Sequence, residues 1–198
     1  MGKVEEKKRL KKEAILASAF QLFTEQGIND TSVADIVKHA SLGKGTFYLY
    51  FKDKFDLRDK LIARKGSAVF DQAYEDLKNR DMPELEDCIL SLVDNILDQL
   101  EKNPMLLRFI SKNLSWAVFS NIRIAEMDGR NCMDIFEDMI QRYGRTFRNT
   151  KMMIYFIVEL VSSACHDVIL YHSPVSLEEL KPELFTTIRG IILQFEVK

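Results

Sequence analysis

The amino-acid sequence predicts an all-α fold, with a small N-terminal head over residues 1–52 and a larger helical body over 53–198. Three observations carry this reading. The 198 residues include only four prolines and eight glycines, too few for a strand-and-turn architecture. Apolar residues recur at helical spacing almost end to end. Helix-start patterns stand where that spacing begins, among them Ser32-x-x-Asp35 and Ser176-x-x-Glu179. The apolar share of 46% and the charged share of 29% are those of an ordinary soluble globular chain.

The elements follow in order. Residues 3–12 carry Lys3, Lys7, Lys8, Arg9, Lys11 and Lys12, which fit either a solvated helix start or an arm that touches phosphates. A first helix is expected over about 11–26, with Ile15, Ala19, Leu22 and Phe23 on one side and Gly27 as its left-handed stop. Thr31 and Ser32 compete to cap a second helix, whose buried stripe is Val33, Ile36 and Val37 and which ends near Ala40. Gly43 is placed for a tight turn into a brief third helix, about 44–50.

That third helix has an unusual surface. Phe47 and Phe51 lie four apart and point into the core of the head, while Gly45, Tyr48 and Leu49 fall on the other side. A glycine inside a helix costs about 1 kcal/mol against alanine, and close backbone approach to something large and flat would offset it. Lys44, Thr46, Tyr48 and Tyr50 around it can donate to phosphates and base edges. Charge agrees: residues 1–65 hold 14 Lys or Arg against 9 Asp or Glu, the remainder 14 against 21. A basic head on an acidic body points to an anionic partner for the head alone. Two phosphate-loop readings fail. A Walker loop would need glycine where Lys38 stands, and a GxGxxG loop would need it at Tyr48.

Asp53 can cap a fourth helix running to about residue 78, long enough to begin in the head and end in the body as a lever between them. Five further helices are expected over about 84–102, 104–119, 123–146, 150–172 and 176–196, with Gly129 a weak point in the seventh. The last two are apolar almost all round: Ile154, Ile157, Val158, Val161 and Val168, then Leu184, Ile188, Ile191, Ile192 and Phe195. Pairing with a second copy into a four-helix interface would hide them. The eighth contains Glu159, His166 and Asp167, which makes it a poor membrane span and a good buried helix. The middle of the body offers adaptable walls for a pocket in Met105, Phe109, Trp116, Phe119, Met133, Phe136 and Tyr155, with Glu159 as a charged candidate.

Other chemistries find little support. Cys88, Cys132 and Cys165 form no CxxC pattern and read as reduced thiols of a cytoplasmic protein. His166 and His172 are six apart on a helix and face different sides, so no metal site is predicted. No triad or carboxylate pair emerges, so neither an enzyme nor a cofactor is predicted.

The run Ile15 to Phe23, Gly27, Thr31-Ser32-Val33, Ile36, Ala40-Ser41, Gly43-Lys44-Gly45-Thr46-Phe47-Tyr48, Tyr50-Phe51 and Lys54 closely resembles the tetracycline-repressor (TetR) family. The resemblance covers about residues 10–62; His39 departs from it. It implies a helix-turn-helix head and a ligand-binding, dimerising helical body. By the same resemblance, Thr31, Tyr50 and Lys54 are phosphate contacts, Lys44, Gly45 and Thr46 open the groove-facing start of the recognition helix, and Tyr48 touches base or backbone. The expected function is a regulator, a repressor above all, that binds a near-palindromic operator in double-stranded DNA as a homodimer. A small lipophilic effector would release it, and no membrane is involved. The rival readings are a helical small-molecule-binding protein or enzyme with a vestigial head, and a ligand-independent architectural protein.

Overall fold

The computed structural model describes residues 2–78, 80–111 and 132–197, and among these residues the chain forms nine helices and one isolated β-bridge. The helices are α1 (Lys3–Glu25), α2 (Val33–His39), α3 (Lys44–Tyr48), α4 (Lys54–Lys78), α5 (Leu85–Lys102), α6 (Pro104–Ser111), α7 (Cys132–Arg142), α8 (Thr150–Tyr171) and α9 (Leu177–Phe195). The chain divides into two compact units, Met1–Ile62 and Ala63–Lys198, so the break falls inside α4.

In the first unit, α1 starts at Lys3, so the basic N-terminal stretch is helical and its Arg9 pairs with Glu6 at 2.7 Å. Gly27 is left-handed, with φ 88°, and lets the chain leave α1. Ser32 wins the cap of α2: its hydroxyl accepts from the Asp35 amide at 3.1 Å, and Asp35 accepts from the Ser32 amide at 2.9 Å. Ile15, Ala19, Phe23, Ile36, Val37 and Phe47 are buried together with Phe51. At the start of α4, the Asp53 carboxylate accepts from the amides of Phe55 and Asp56, both at 2.8 Å.

The second unit is built around one apolar core, shared by α4 from Phe70 onward, α5, α6, α7, α8 and α9. Ser176 and Glu179 form the capping box that opens α9. Lys181 bridges Asp94 at 2.6 Å and Asp98 at 2.7 Å, tying α9 to α5. Arg145 joins Glu86 at 3.0 Å and also Glu196, so a buried carboxylate on α5 is matched by a cation from the α7–α8 connection. The same connection holds the end of α9 through the Val197 amide, which donates to the Thr146 carbonyl at 2.9 Å. Among the described residues, α8 is the one helix long and apolar enough to cross a membrane by length and composition. Its Met153, Ile154, Ile157 and Val168 lie in the core.

Of the expected sixth and seventh helices, Pro104–Ser111 and Cys132–Arg142 fall among the described residues; Trp116, Phe119 and Gly129 lie outside them. The residues expected at a dimer interface mostly face inward. Ile154, Ile157, Val168, Leu184, Ile188, Ile192 and Phe195 are buried within a single chain, and Val158, Val161 and Ile191 are half-buried against its core. A side chain enclosed by its own chain has no surface left to offer a partner.

Candidate nucleic-acid interface and body cavity

The turn between α2 and α3 is closed by backbone bonds. The Ala40 amide donates to the Ile36 carbonyl at 2.9 Å and the Leu42 amide to the Val37 carbonyl at 2.8 Å. The left-handed residue of this turn is Ser41, with φ 55°, and not Gly43. Gly43 sits in extended backbone, φ −89°, as the residue before α3, a conformation open to any residue.

The inner face of α3 is fixed by Phe47 and Phe51, whose ring centroids lie 5.6 Å apart and whose exposures are 0% and 2%. Tyr48 leans edge-on against Phe47 at 5.3 Å yet remains 59% exposed. Lys44, Gly45 and Leu49 are exposed beside it, and Thr46 and Tyr50 are half-buried. A methyl group placed on Gly45 would meet nothing within 4 Å. The glycine is therefore not demanded by the packing of the chain itself.

Two residues expected to touch phosphates are turned inward. The Lys54 ammonium donates to the carbonyls of Ile28 at 2.9 Å, Asn29 at 3.0 Å and Thr31 at 3.0 Å, which occupies its three protons. Thr31 is 1% exposed, and its hydroxyl donates to the Gly27 carbonyl at 2.7 Å. Together they fasten the α1–α2 connection to the start of α4. His39, whose role the sequence leaves open, lies 3.0 Å from the Ser18 hydroxyl and ties α2 to α1.

The body holds a cavity of about 120 Å³, to which α4, α5, α6, α7 and α8 all contribute. Phe70, Ile96, Leu100, Phe136, Val161 and Ser162 are among its walls, and no charged side chain of the described residues lines it. Cys132 and Cys165 also face it, and burial pushes each thiol up to about 12, so both are neutral and unreactive near pH 7. Of the residues expected at a ligand site, Phe136 alone lines this cavity among those described. Phe109 and Met133 are buried elsewhere, while Met105, Tyr155 and Glu159 are exposed. Arg145 pairs with Glu86 and Glu196, not with Glu159. Most of the other walls are residues of α4, α5 and α6, Phe70, Ile96 and Leu107 among them, none of which the sequence singles out for a ligand.

A second apolar surface remains on the outside of the body. On α8, Met152, Tyr155 and Phe156 are 48%, 37% and 45% exposed; on α9, Leu193 is 58% exposed and Val197 just beyond it 52%. Phe156 packs edge-on against Phe195 at 5.9 Å, so the exposed parts of the two helices are contiguous. Gly190 is exposed one turn before Leu193, with open space where a side chain would be.

Residues 15–61 match the profile described as bacterial regulatory proteins, tetR family. The fatty acid metabolism regulator protein of Bacillus subtilis (strain 168) is 34% identical over 73 residues, 37% of this chain and 38% of that protein. The chain spans well under half the length of the first curated relatives it matches, at 38%, 25% and 23%. Among solved structures, a candidate tetR family transcription regulator from Shewanella sp. PV-4 superposes with a TM-score of 0.72 at 21% identity, covering 95% of this chain and 99% of that one. FadR from Bacillus subtilis in complex with stearoyl-CoA superposes with a TM-score of 0.60 at 18% identity, covering 89% and 96%. The profile match to the tetR family of bacterial regulatory proteins lies on the α1–α4 head, and the two superpositions show that the fold of those solved structures runs through the body as well.

Proposed function

We propose that this protein is a ligand-responsive, cytoplasmic transcriptional regulator that represses by binding a near-palindromic operator as a homodimer. The observation that carries the reading is the two-sided third helix: Phe47 and Phe51 lock it to the head while Lys44, Gly45 and Tyr48 stand outward around open space. In a major groove this face offers an ammonium, a phenol and a threonine hydroxyl, with Tyr50 beside it for a phosphate. Lys54 and Thr31 act one step back, holding the loop from which α2 starts. Two heads reading matched half-sites need them about one helical turn, roughly 34–36 Å, apart or a multiple of that.

The exposed apolar face of α8 and α9 supplies the surface for the second copy. The cavity supplies the effector site, and its uncharged walls favour a lipophilic molecule. A cavity of about 120 Å³ is the size of those that hold a single small apolar ring, so a longer ligand enters by parting the walls. The stearoyl-CoA carried by the Bacillus subtilis FadR neighbour makes long acyl chains the first class to try. Because α4 is one continuous helix that begins in the head and contributes Val69 and Phe70 to the cavity, it is the element through which a ligand acts. A ligand that discriminates the two states by a few kcal/mol is enough to empty the operator.

The test is gel retardation of a duplex enriched from a randomised pool. The wild-type dimer retards it, Tyr48→Ala and Lys44→Ala do not while remaining dimers, and titration with long-chain acyl-CoA releases it. Binding by both variants at wild-type affinity overturns the DNA-reading assignment. Tight binding of a ligand with no salt-dependent affinity for any duplex would instead establish a small-molecule protein with a vestigial head.

A further inference from the structure

Leu49 is 78% exposed, the largest exposure among the bulky apolar residues of the described chain. It follows the last residue of α3 and lies one helical turn after Gly45. Single exposed leucines are common and need no explanation by themselves. This one stands on the surface that carries Tyr48 and the open space over Gly45, while Phe47 and Phe51 already fill the interior beneath α3. The head therefore gains nothing from an apolar side chain here, and every neighbour on that face is suited to nucleic acid.

Within a major groove one apolar group distinguishes bases, the C5-methyl of thymine. Resting on the reading of α3 as the groove-entering helix, we propose that Leu49 is a specificity-determining residue that packs against a thymine methyl in each half-site. Gly45, bare on the same side, lets the backbone come close enough for that contact. Tyr48 and Lys44 hydrogen-bond to the duplex, and Leu49 selects for thymine by excluding water from its methyl.

The experiment deletes the two halves of the contact separately. Duplexes enriched by the full-length wild-type protein are resynthesised with each thymine replaced in turn by deoxyuridine, which removes the methyl and keeps every hydrogen-bonding group. Wild-type affinity falls about fourfold at one position per half-site, the worth of roughly one buried methyl. Leu49→Ala weakens binding to the unmodified duplex by at least that factor and is then indifferent to deoxyuridine at that position. Because Leu49 is exposed, the variant keeps its melting temperature. The proposal is overturned if Leu49→Ala binds like the wild type, or if every deoxyuridine effect persists in Leu49→Ala. If no duplex is enriched at all, the DNA-reading assignment fails with it, which separates the two failures.

Discussion

Single residues in the head divide into those that face outward and those that hold them in place. Lys44 and Lys54 show the difference. Each lysine opens a helix, Lys44 α3 and Lys54 α4, but Lys54 donates to three backbone carbonyls while Lys44 is exposed. If Lys44 meets a phosphate, Lys44→Ala flattens the plot of log affinity against log salt by about one unit. Lys54→Ala leaves that slope unchanged and instead lowers the stability of the head by about 2 kcal/mol, because charge-assisted bonds to three carbonyls are lost. Salt titration and thermal unfolding of the two variants check this. A flattened slope in Lys54→Ala would return that residue to phosphate contact. The sequence gives no way to anticipate the inward turn, since a lysine at a helix start reaches solvent and loop carbonyls equally well.

At the scale of elements, α3 is short, held by two phenylalanines, and contains a glycine that its own surroundings do not require. Gly45→Ala relieves a helix penalty and adds no clash in the free protein, so stability is unchanged or rises by up to about 1 kcal/mol. If the backbone there approaches a base pair, the same change weakens operator binding about tenfold or more. Unchanged DNA affinity in a protein of unchanged stability would show that the glycine serves nothing. Helix starts and the inner face of α3 were legible in the sequence because their signals are local. The Ser32–Asp35 box, the Ser176–Glu179 box, the Asp53 cap and the inward pair Phe47 and Phe51 each follow from spacing of three or four residues. Ser41, and not Gly43, takes the left-handed turn because a serine can adopt that conformation and no pattern marks which residue will.

Helices α8 and α9 show where such reading stops. Where apolar residues spread beyond one side of a helix, sequence periodicity cannot tell which side enters its own core and which awaits a partner. The structure encloses Ile154 and Ile188 and leaves out Met152, Phe156 and Leu193. The cavity is harder still to foresee, because it is a gap between five helices, and the aliphatic residues around it resemble those of a filled core.

The whole molecule, on the proposed reading, is a pair of such chains. Its dimer is expected to depend on the outward set: Leu193→Glu, or Phe156→Glu, places a charge on the face a second copy covers. Sedimentation of either variant should show a monomer, whereas Ile154→Ala should remain a dimer with a core weakened by about 2–5 kcal/mol. A dimer that survives both charged substitutions would place the interface elsewhere.

The proposed function depends above all on the outward face of α3 reading DNA. The direct measurement is the affinity of the full-length protein for an enriched duplex and for the same duplex with its bases scrambled, at physiological salt and in the same titration. The prediction is a preference of about a thousandfold or more for the wild type, lost in Tyr48→Ala. Equal affinity of the wild type for both duplexes, or a preference that Tyr48→Ala retains in full, would contradict it.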